Sequence, residues 1–162
     1  MRARVIFGGL LLVVLALVVL VVRKEQVLTH GMPLLLELAP VDPRSLMQGD
    51  YMVLDYAVSR ELGWSNAPQE GRLVLRLDEH GVGRFVRKHE PETPLAPGEL
   101  LLRYKVRDGR IRLGAESFFF QEGHADRYAG AKYGELRVTG DGSSVLVGLR
   151  NAERQPLGRA VR

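Results

Sequence analysis

An uninterrupted apolar run of eighteen residues, Val5 to Val22, lies almost at the N-terminus. A helix rises about 1.5 Å per residue, so this run covers roughly the hydrocarbon thickness of a bilayer. Basic residues bracket the run on both sides: Arg2, Arg4, Arg23 and Lys24. The sequence therefore predicts an N-terminal membrane anchor over residues 1–24, and the rest of the chain must fold beside a membrane.

A cleaved signal peptide is the alternative interpretation of this run. Such a peptide has a shorter apolar core, about 7–15 residues, followed by an Ala-x-Ala-like cleavage site. Here the run ends in Val-Val-Arg-Lys-Glu-Gln, without suitably spaced small residues, which favours a retained anchor. The basic flanks are nearly balanced, but a short N-terminal tail usually stays inside. We expect a single-pass protein of the inner (cytoplasmic) membrane whose C-terminal domain is periplasmic or otherwise extracytoplasmic.

The net positive charge belongs to the flanks of the anchor. Every acidic residue lies at Glu25 or later, so residues 25–162 carry 19 basic and 19 acidic side chains. We therefore interpret the excess as a topology signal and expect no nucleic-acid partner. Arg103, Lys105 and Arg107 alternate along a predicted strand and share one face. A solvated stripe is our first interpretation of that face, and a surface for an anionic partner is the second.

The remainder of the chain reads as a short juxtamembrane linker, 25–32, and one extracytoplasmic β domain, 33–162. Close turn signals separate the short apolar or alternating segments, as in an antiparallel β-sandwich or barrel-like domain. The predicted strands are Leu34–Leu38, Tyr51–Val58, Leu73–Leu77, Gly83–Arg87, Leu100–Arg107, Arg110–Leu113, Phe118–Phe120, Gly134–Val138, Val145–Leu149 and Pro156–Val161. Asp108-Gly109 is the strongest hairpin signal, and His124–Lys132 is the one predicted helical turn. The fold class is mainly β after a single transmembrane helix.

The residue types that carry cofactor or metal chemistry are sparse. Cysteine is absent, which excludes disulfides, thiol catalysis and cysteine metal sites. There is no Rossmann glycine pattern, no P-loop and no metal spacing among the histidines. Glu122, His124 and Asp126 are close in sequence, but three such residues rarely converge without defined geometry. We expect no cofactor and no metal.

Residues 49–56 spell Gly-Asp-Tyr-x-x-Leu-x-Tyr. This segment resembles the signature of the bacterial GDYXXLXY protein family, and Pro40–Ser45, Tyr133–Val138 and Leu146–Arg150 are also similar to that family. The resemblance covers essentially the whole exported domain, and an N-terminal anchor is usual in the family. It implies no assigned activity. Family members are encoded beside polytopic membrane proteins, so the resemblance implies a polytopic membrane-protein partner.

The signature also has a physical interpretation. Gly49 suits a tight turn with positive φ, and Asp50 can accept backbone N–H bonds there. In the strand that follows, Leu54 and Tyr56 share one face and are predicted to be core, whereas Tyr51 points to the opposite face. We consider the motif mainly architectural, with Tyr51 as the residue suited to a surface role.

The favoured function is a noncatalytic, membrane-tethered domain that binds a membrane or envelope protein. Besides Tyr51, the candidate binding residues are Arg127, Tyr128 and Tyr133, because their segment mixes charge with aromatic side chains. The alternative for Tyr128 and Tyr133 is that they only seal one end of the domain.

A membrane-bound Ser–Lys hydrolase resembling a type I signal peptidase is the alternative function. Ser45 would be its nucleophile and Lys105 or Lys132 its base, with a pKa lowered by burial. The spacing from Ser45 to Gly49 is shorter than in that family, and no matching lysine motif follows. A turn-capping hydroxyl is the simpler role for Ser45.

Overall fold

An apolar helix followed by antiparallel β-sheets makes up the computed structural model, which describes residues 2–39, 47–48, 51–61 and 68–158. Helix α1 spans Arg2–His30, and its portion Ile6–His30 is long and apolar enough to cross a membrane. By length and composition alone, a signal sequence has the same properties. The helix confirms the predicted apolar element and continues through residues 25–30, within the segment interpreted as a linker.

The strands that the structure describes are short, and two short helices interrupt them. Helix α2 is Ala57–Glu61 and helix α3 is Ala125–Tyr128. The strands are β1 Met32–Glu37, β2 Met47–Gln48, β3 Tyr51–Val53, β4 Glu70–Leu77, β5 Gly83–Lys88, β6 Glu99–Arg107, β7 Arg110–Arg112, β8 Ser117–Phe119, β9 Tyr133–Val138, β10 Ser144–Arg150 and β11 Pro156–Leu157.

Within the described residues these strands form three antiparallel sheets, with orders β1–β9–β10–β11, β2–β3–β8 and β5–β4–β6–β7. The sheets curl into half-barrels, which confirms the predicted mainly β, antiparallel class. The amide of Leu35 donates to the carbonyl of Gly81 at 3.0 Å and so joins the first sheet to the β4–β5 turn. At the β6–β7 turn, Asp108 and Gly109 have φ values of 51° and 66°, as the predicted two-residue hairpin requires.

One apolar core lies between the sheets. Alternation along β6 shows how the sequence builds it, since Leu100, Leu102 and Tyr104 are buried while Arg103 and Lys105 are exposed. Fully buried side chains come from all three sheets: Leu34, Leu36, Met52, Leu73, Leu75, Leu102, Leu136 and Leu149. Burial of this kind is the main stabilising contribution in a domain of this size.

The end of α1 packs against the β domain. Val27 is 8% exposed, and the amide of Gly31 donates to its carbonyl at 3.0 Å. Arg137 on β9 donates from Nη1 to the carbonyl of Gly31 at 3.4 Å. A Cβ at Gly31 would lie 2.3 Å from the Val27 carbonyl oxygen, so only glycine allows this close approach. The helix therefore continues directly into a packed contact with the domain.

The predicted strand Tyr51–Val58 is wrong in its second half. The strand ends at Val53, and α2 begins at Ala57. Between them the amide of Leu54 donates to the Glu116 carbonyl at 2.8 Å, so the backbone leaves its ladder for another loop. Ser45, Gly49 and Asp50, with the end of the predicted strand Pro156–Val161, lie outside the described residues.

Candidate functional site

The inner face of the signature segment is part of the core. Leu54 is 2% exposed and Tyr56 is 1% exposed, which confirms the core prediction for both residues. The Tyr56 hydroxyl donates to the carbonyl of Ala115 at 2.7 Å. Burial, with a smaller contribution from the Glu116 carboxylate, raises the pKa of Tyr56 far above its usual range. Tyr56 therefore stays neutral and serves as a buried hydrogen-bond donor.

The position of the Tyr56 ring explains why residue 134 is a glycine. A Cβ at Gly134 on β9 would lie 2.9 Å from the Tyr56 ring carbon Cε1 and 2.9 Å from its hydroxyl. The ring consequently needs a residue without a side chain on β9. Two of the segments that carried the family resemblance, 49–56 and 133–138, meet at this contact.

The outer face of the same segment carries an aromatic pair. Tyr51 and Phe119 are directly opposite each other in the β3–β8 register, and their ring centroids are 5.7 Å apart. Tyr51 is half-buried, whereas Phe119 is 74% exposed. We call these two residues the aromatic pair. It covers one side of a small sheet whose other side faces the core.

Tyr128 lies on the opposite side of β8 from the aromatic pair. Its ring centroid is 5.0 Å from that of Phe118 in an edge-on contact and 5.4 Å from that of Phe120 in a stacked contact. Tyr128 is 8% exposed. Three consecutive phenylalanines thus divide by strand alternation, with two packing inward on Tyr128 and Phe119 pointing outward.

The remaining candidate binding residues lie beside this cluster in sequence. Arg127 is exposed on α3, and Tyr133 is half-buried at the start of β9, opposite Glu37 and Arg150. Phe119 did not emerge as a candidate from the sequence. The run Phe118–Phe120 contained the signal, because three adjacent aromatics in a strand cannot all face the core.

Of the residues of the alternative hydrolase, Ser45 lies outside the described residues, and neither lysine is buried. Lys105 is exposed and pairs with Glu70, with Nζ and Oε2 3.6 Å apart, and Lys132 is also exposed. A lysine general base needs a desolvated amine, which exposure does not provide. Nor do the described residues include a group of three His, Asp or Glu side chains that could hold a metal ion.

Comparison with known proteins gives one result that covers most of the chain. The family model described as GDYXXLXY protein matches residues 13–149. No curated protein and no solved structure matches the chain. Because the matched region includes the end of the apolar helix, the signature and both strands of the β9–β10 hairpin, the chain belongs to the GDYXXLXY protein family.

Proposed function

We propose that this protein is a noncatalytic domain, tethered by α1 to the inner membrane and lying outside the cytoplasm, that binds a membrane or envelope protein through the aromatic pair. The single observation that carries the proposal is the outward Phe119 ring, 74% exposed and held against Tyr51. Exposed aromatic side chains of this kind supply much of the binding energy at protein interfaces.

The contacts that hold the aromatic pair in place favour a role in partner binding. Phe118 and Phe120 anchor β8 to Tyr128, and the β3–β8 ladder fixes Tyr51 opposite Phe119. These side chains are therefore already ordered before a partner binds, and less conformational entropy is lost on association. A polytopic membrane protein is the partner class that family membership suggests.

Arg127 extends the proposed contact. It is exposed and adjoins Tyr128, whose ring supports β8 from within. In this assignment Arg127 and Tyr133 contribute to the interface, while buried Tyr128 positions the surface.

The packed end of α1 supports a retained anchor. Val27 and Gly31 form part of the contact with β9, and the helix runs without a break from the apolar segment into that contact. A reporter that is active only outside the cytoplasm, fused after Arg162, is expected to be active in membranes that retain the full-length mass. A released protein shortened past Arg23 would contradict the anchor.

Site-specific photo-crosslinking tests the partner contact. A photoreactive phenylalanine analogue replaces Phe119 in the full-length protein in native membranes, and the same analogue at Leu95, 40% exposed in another loop, is the matched control. We expect a discrete protein adduct from position 119 and not from position 95. Equal adduct patterns from the two positions, or none from position 119, would contradict the proposed surface.

Arg127→Ala and Tyr128→Ala distinguish a residue that contacts the partner from a residue that stabilises the fold. Arg127→Ala is expected to leave the melting temperature unchanged and to weaken co-purification of the cross-linked partner. Tyr128→Ala removes a buried ring and is expected to lower the melting temperature. If Arg127→Ala changes neither measurement, Arg127 does not belong to the interface.

A further inference from the structure

A basic cleft lies at the end of the β domain that adjoins the membrane helix. Its volume is about 1080 Å³, and side chains from α1, β4, β6, β7, the loop before β8 and the β9–β10 turn line it. The basic lining residues are Lys24, Arg72, Arg103, Lys105, Arg107 and Arg112. Only three lining residues are acidic, namely Glu70, Asp108 and Glu116, so the cleft has an excess of positive charge.

Some of these cations are already engaged. Arg103 pairs with Asp141, with Nη2 and Oδ2 2.8 Å apart, and Lys105 pairs with Glu70. Arg72 donates from Nε to the backbone carbonyl of Asp141 at 3.0 Å. These contacts fix one wall of the cleft and leave the charge of other lining residues uncompensated.

Four lining cations have no carboxylate partner within the part of the chain that the structure describes, namely Lys24, Arg72, Arg107 and Arg112. Arg72 is held by the Asp141 carbonyl. The Glu116 carboxylate forms no ion pair with them among the described residues, and its Oε1 accepts the backbone amides of Leu113 and Gly114. Arginine guanidinium groups bind phosphate oxygens in a bidentate manner, and lysine supplies a point charge. The uncompensated side chains therefore suit a phosphate-bearing ligand.

The position of Lys24 identifies the source of that phosphate. Lys24 follows the apolar run by two residues, which is about 3 Å along a helix. When α1 spans a bilayer, Lys24 and the cleft that it lines lie at the depth of the lipid headgroups. Basic clusters immediately beside a membrane segment attract anionic lipids.

We infer that this cleft binds the phosphodiester headgroup of an anionic phospholipid from the membrane that holds α1. The inference rests on the membrane tether proposed above and is independent of the protein partner. Contact with a headgroup adds a second attachment of the β domain to the membrane surface and so restricts its orientation over the bilayer.

Because the chain contains no cysteine, a single introduced cysteine can be labelled selectively to probe the cleft. Ser117, an exposed lining residue, is replaced as Ser117→Cys and labelled with an environment-sensitive fluorophore in the full-length protein. The labelled protein is incorporated into nanodiscs of phosphatidylcholine with an increasing fraction of phosphatidylglycerol. We expect a saturable change in emission that follows phosphatidylglycerol and is reversed by high salt.

A charge-matched pair of double variants tests the assignment. Arg107→Gln with Arg112→Gln removes two lining cations, whereas Arg76→Gln with Lys132→Gln removes two exposed cations outside the lining. The first double variant is expected to weaken the apparent phosphatidylglycerol affinity about fivefold or more, and the second less than about twofold. Equal weakening by both double variants, at unchanged unfolding midpoints, would overturn the inference.

Three further outcomes distinguish failure of the membrane tether from failure of the cleft assignment, and lipid binding from binding of a free anion. Protein that fails to enter nanodiscs contradicts the tether, and with it the depth argument. Incorporated protein whose label does not respond to phosphatidylglycerol overturns the cleft assignment alone. An equal emission change produced by inorganic phosphate in pure phosphatidylcholine nanodiscs would assign the cleft to a soluble anion and overturn the lipid inference.

Discussion

The inner and outer faces of the segment Tyr51–Tyr56 differ in how deeply their side chains are buried. On the inner face, Leu54 and Tyr56 are almost fully buried, and the Tyr56 hydroxyl has a carbonyl partner. On the outer face, the Tyr51 ring packs against Phe119, and most of the Phe119 side chain is exposed to solvent. The inner face accounts for the fold of the segment, and the outer face remains available for recognition. The proposed function therefore depends on the less buried residues of the segment.

The largest expected effect tests the inner face. Leu54→Ala is expected to lower the free energy of unfolding by about 2–5 kcal/mol, because it leaves a cavity in a packed core. Denaturant unfolding of the full-length protein in detergent measures the change. Leu95→Ala, in an exposed loop, is the control and is expected to cost under about 0.5 kcal/mol. Similar losses from both variants would contradict the assignment of Leu54 to the core.

A smaller effect sharpens the role of the second signature tyrosine. Tyr56→Phe keeps the ring but leaves the buried Ala115 carbonyl without its partner, so a loss of about 1–3 kcal/mol is expected. Tyr133→Phe, at a half-buried site, is the control and is expected to cost less. Equal unfolding midpoints for Tyr56→Phe and the unmodified protein would show that the hydroxyl contributes nothing to stability.

The smallest effect concerns the β9–β10 turn, which borders the basic cleft. Hydrogen bonds from Thr139, then from Ser143, together with the charge of Arg103, lower the pKa of Asp141 to about 2. A carboxylate with a lowered folded-state pKa contributes stability above its unfolded pKa, near 4, and the contribution is lost as the pH falls towards 2. The Asp141 side chain is 52% exposed, so we expect under about 1 kcal/mol after solvent screening.

Unfolding of Asp141→Asn as a function of pH tests this expectation. The variant should be less stable than the unmodified protein at neutral pH, and the difference should shrink as the pH falls from about 4 towards 2. A difference that stays constant over that range would mean that ionisation of Asp141 does not contribute to stability.

The sequence predicted local features better than long-range ones. The Asp108-Gly109 hairpin and the alternation along β6 follow from neighbouring residues, and the structure confirms both. The pairing of β3 with β8 joins Met52 to Phe118, which are far apart in the chain, so no local pattern predicts it. The end of β3 at Val53 depends on a hydrogen bond from Leu54 to the distant Glu116.

The candidate site divides in the same way. Strand alternation predicted that Tyr51 lies on the other face of the segment from Leu54. The contact of the outward Phe119 with Tyr51 follows only from the β3–β8 register, which the sequence does not show. The cleft was visible in sequence only as the stripe Arg103 to Arg107. Its other walls come from separate segments, including Lys24 on the helix, and only folding brings them together.

The most direct test of the account measures two properties of Phe119→Ala in the full-length protein. They are the free energy of unfolding and the yield of the partner, identified beforehand by the crosslink from position 119, that co-purifies from native membranes without crosslinking. We expect the unfolding free energy to change by less than about 1 kcal/mol, because the ring is mostly exposed. The partner yield should fall about tenfold or more, as at an aromatic hot spot. A loss of stability equal to that of Leu54→Ala, with an unchanged partner yield, would contradict the division between an inner face that folds and an outer face that binds.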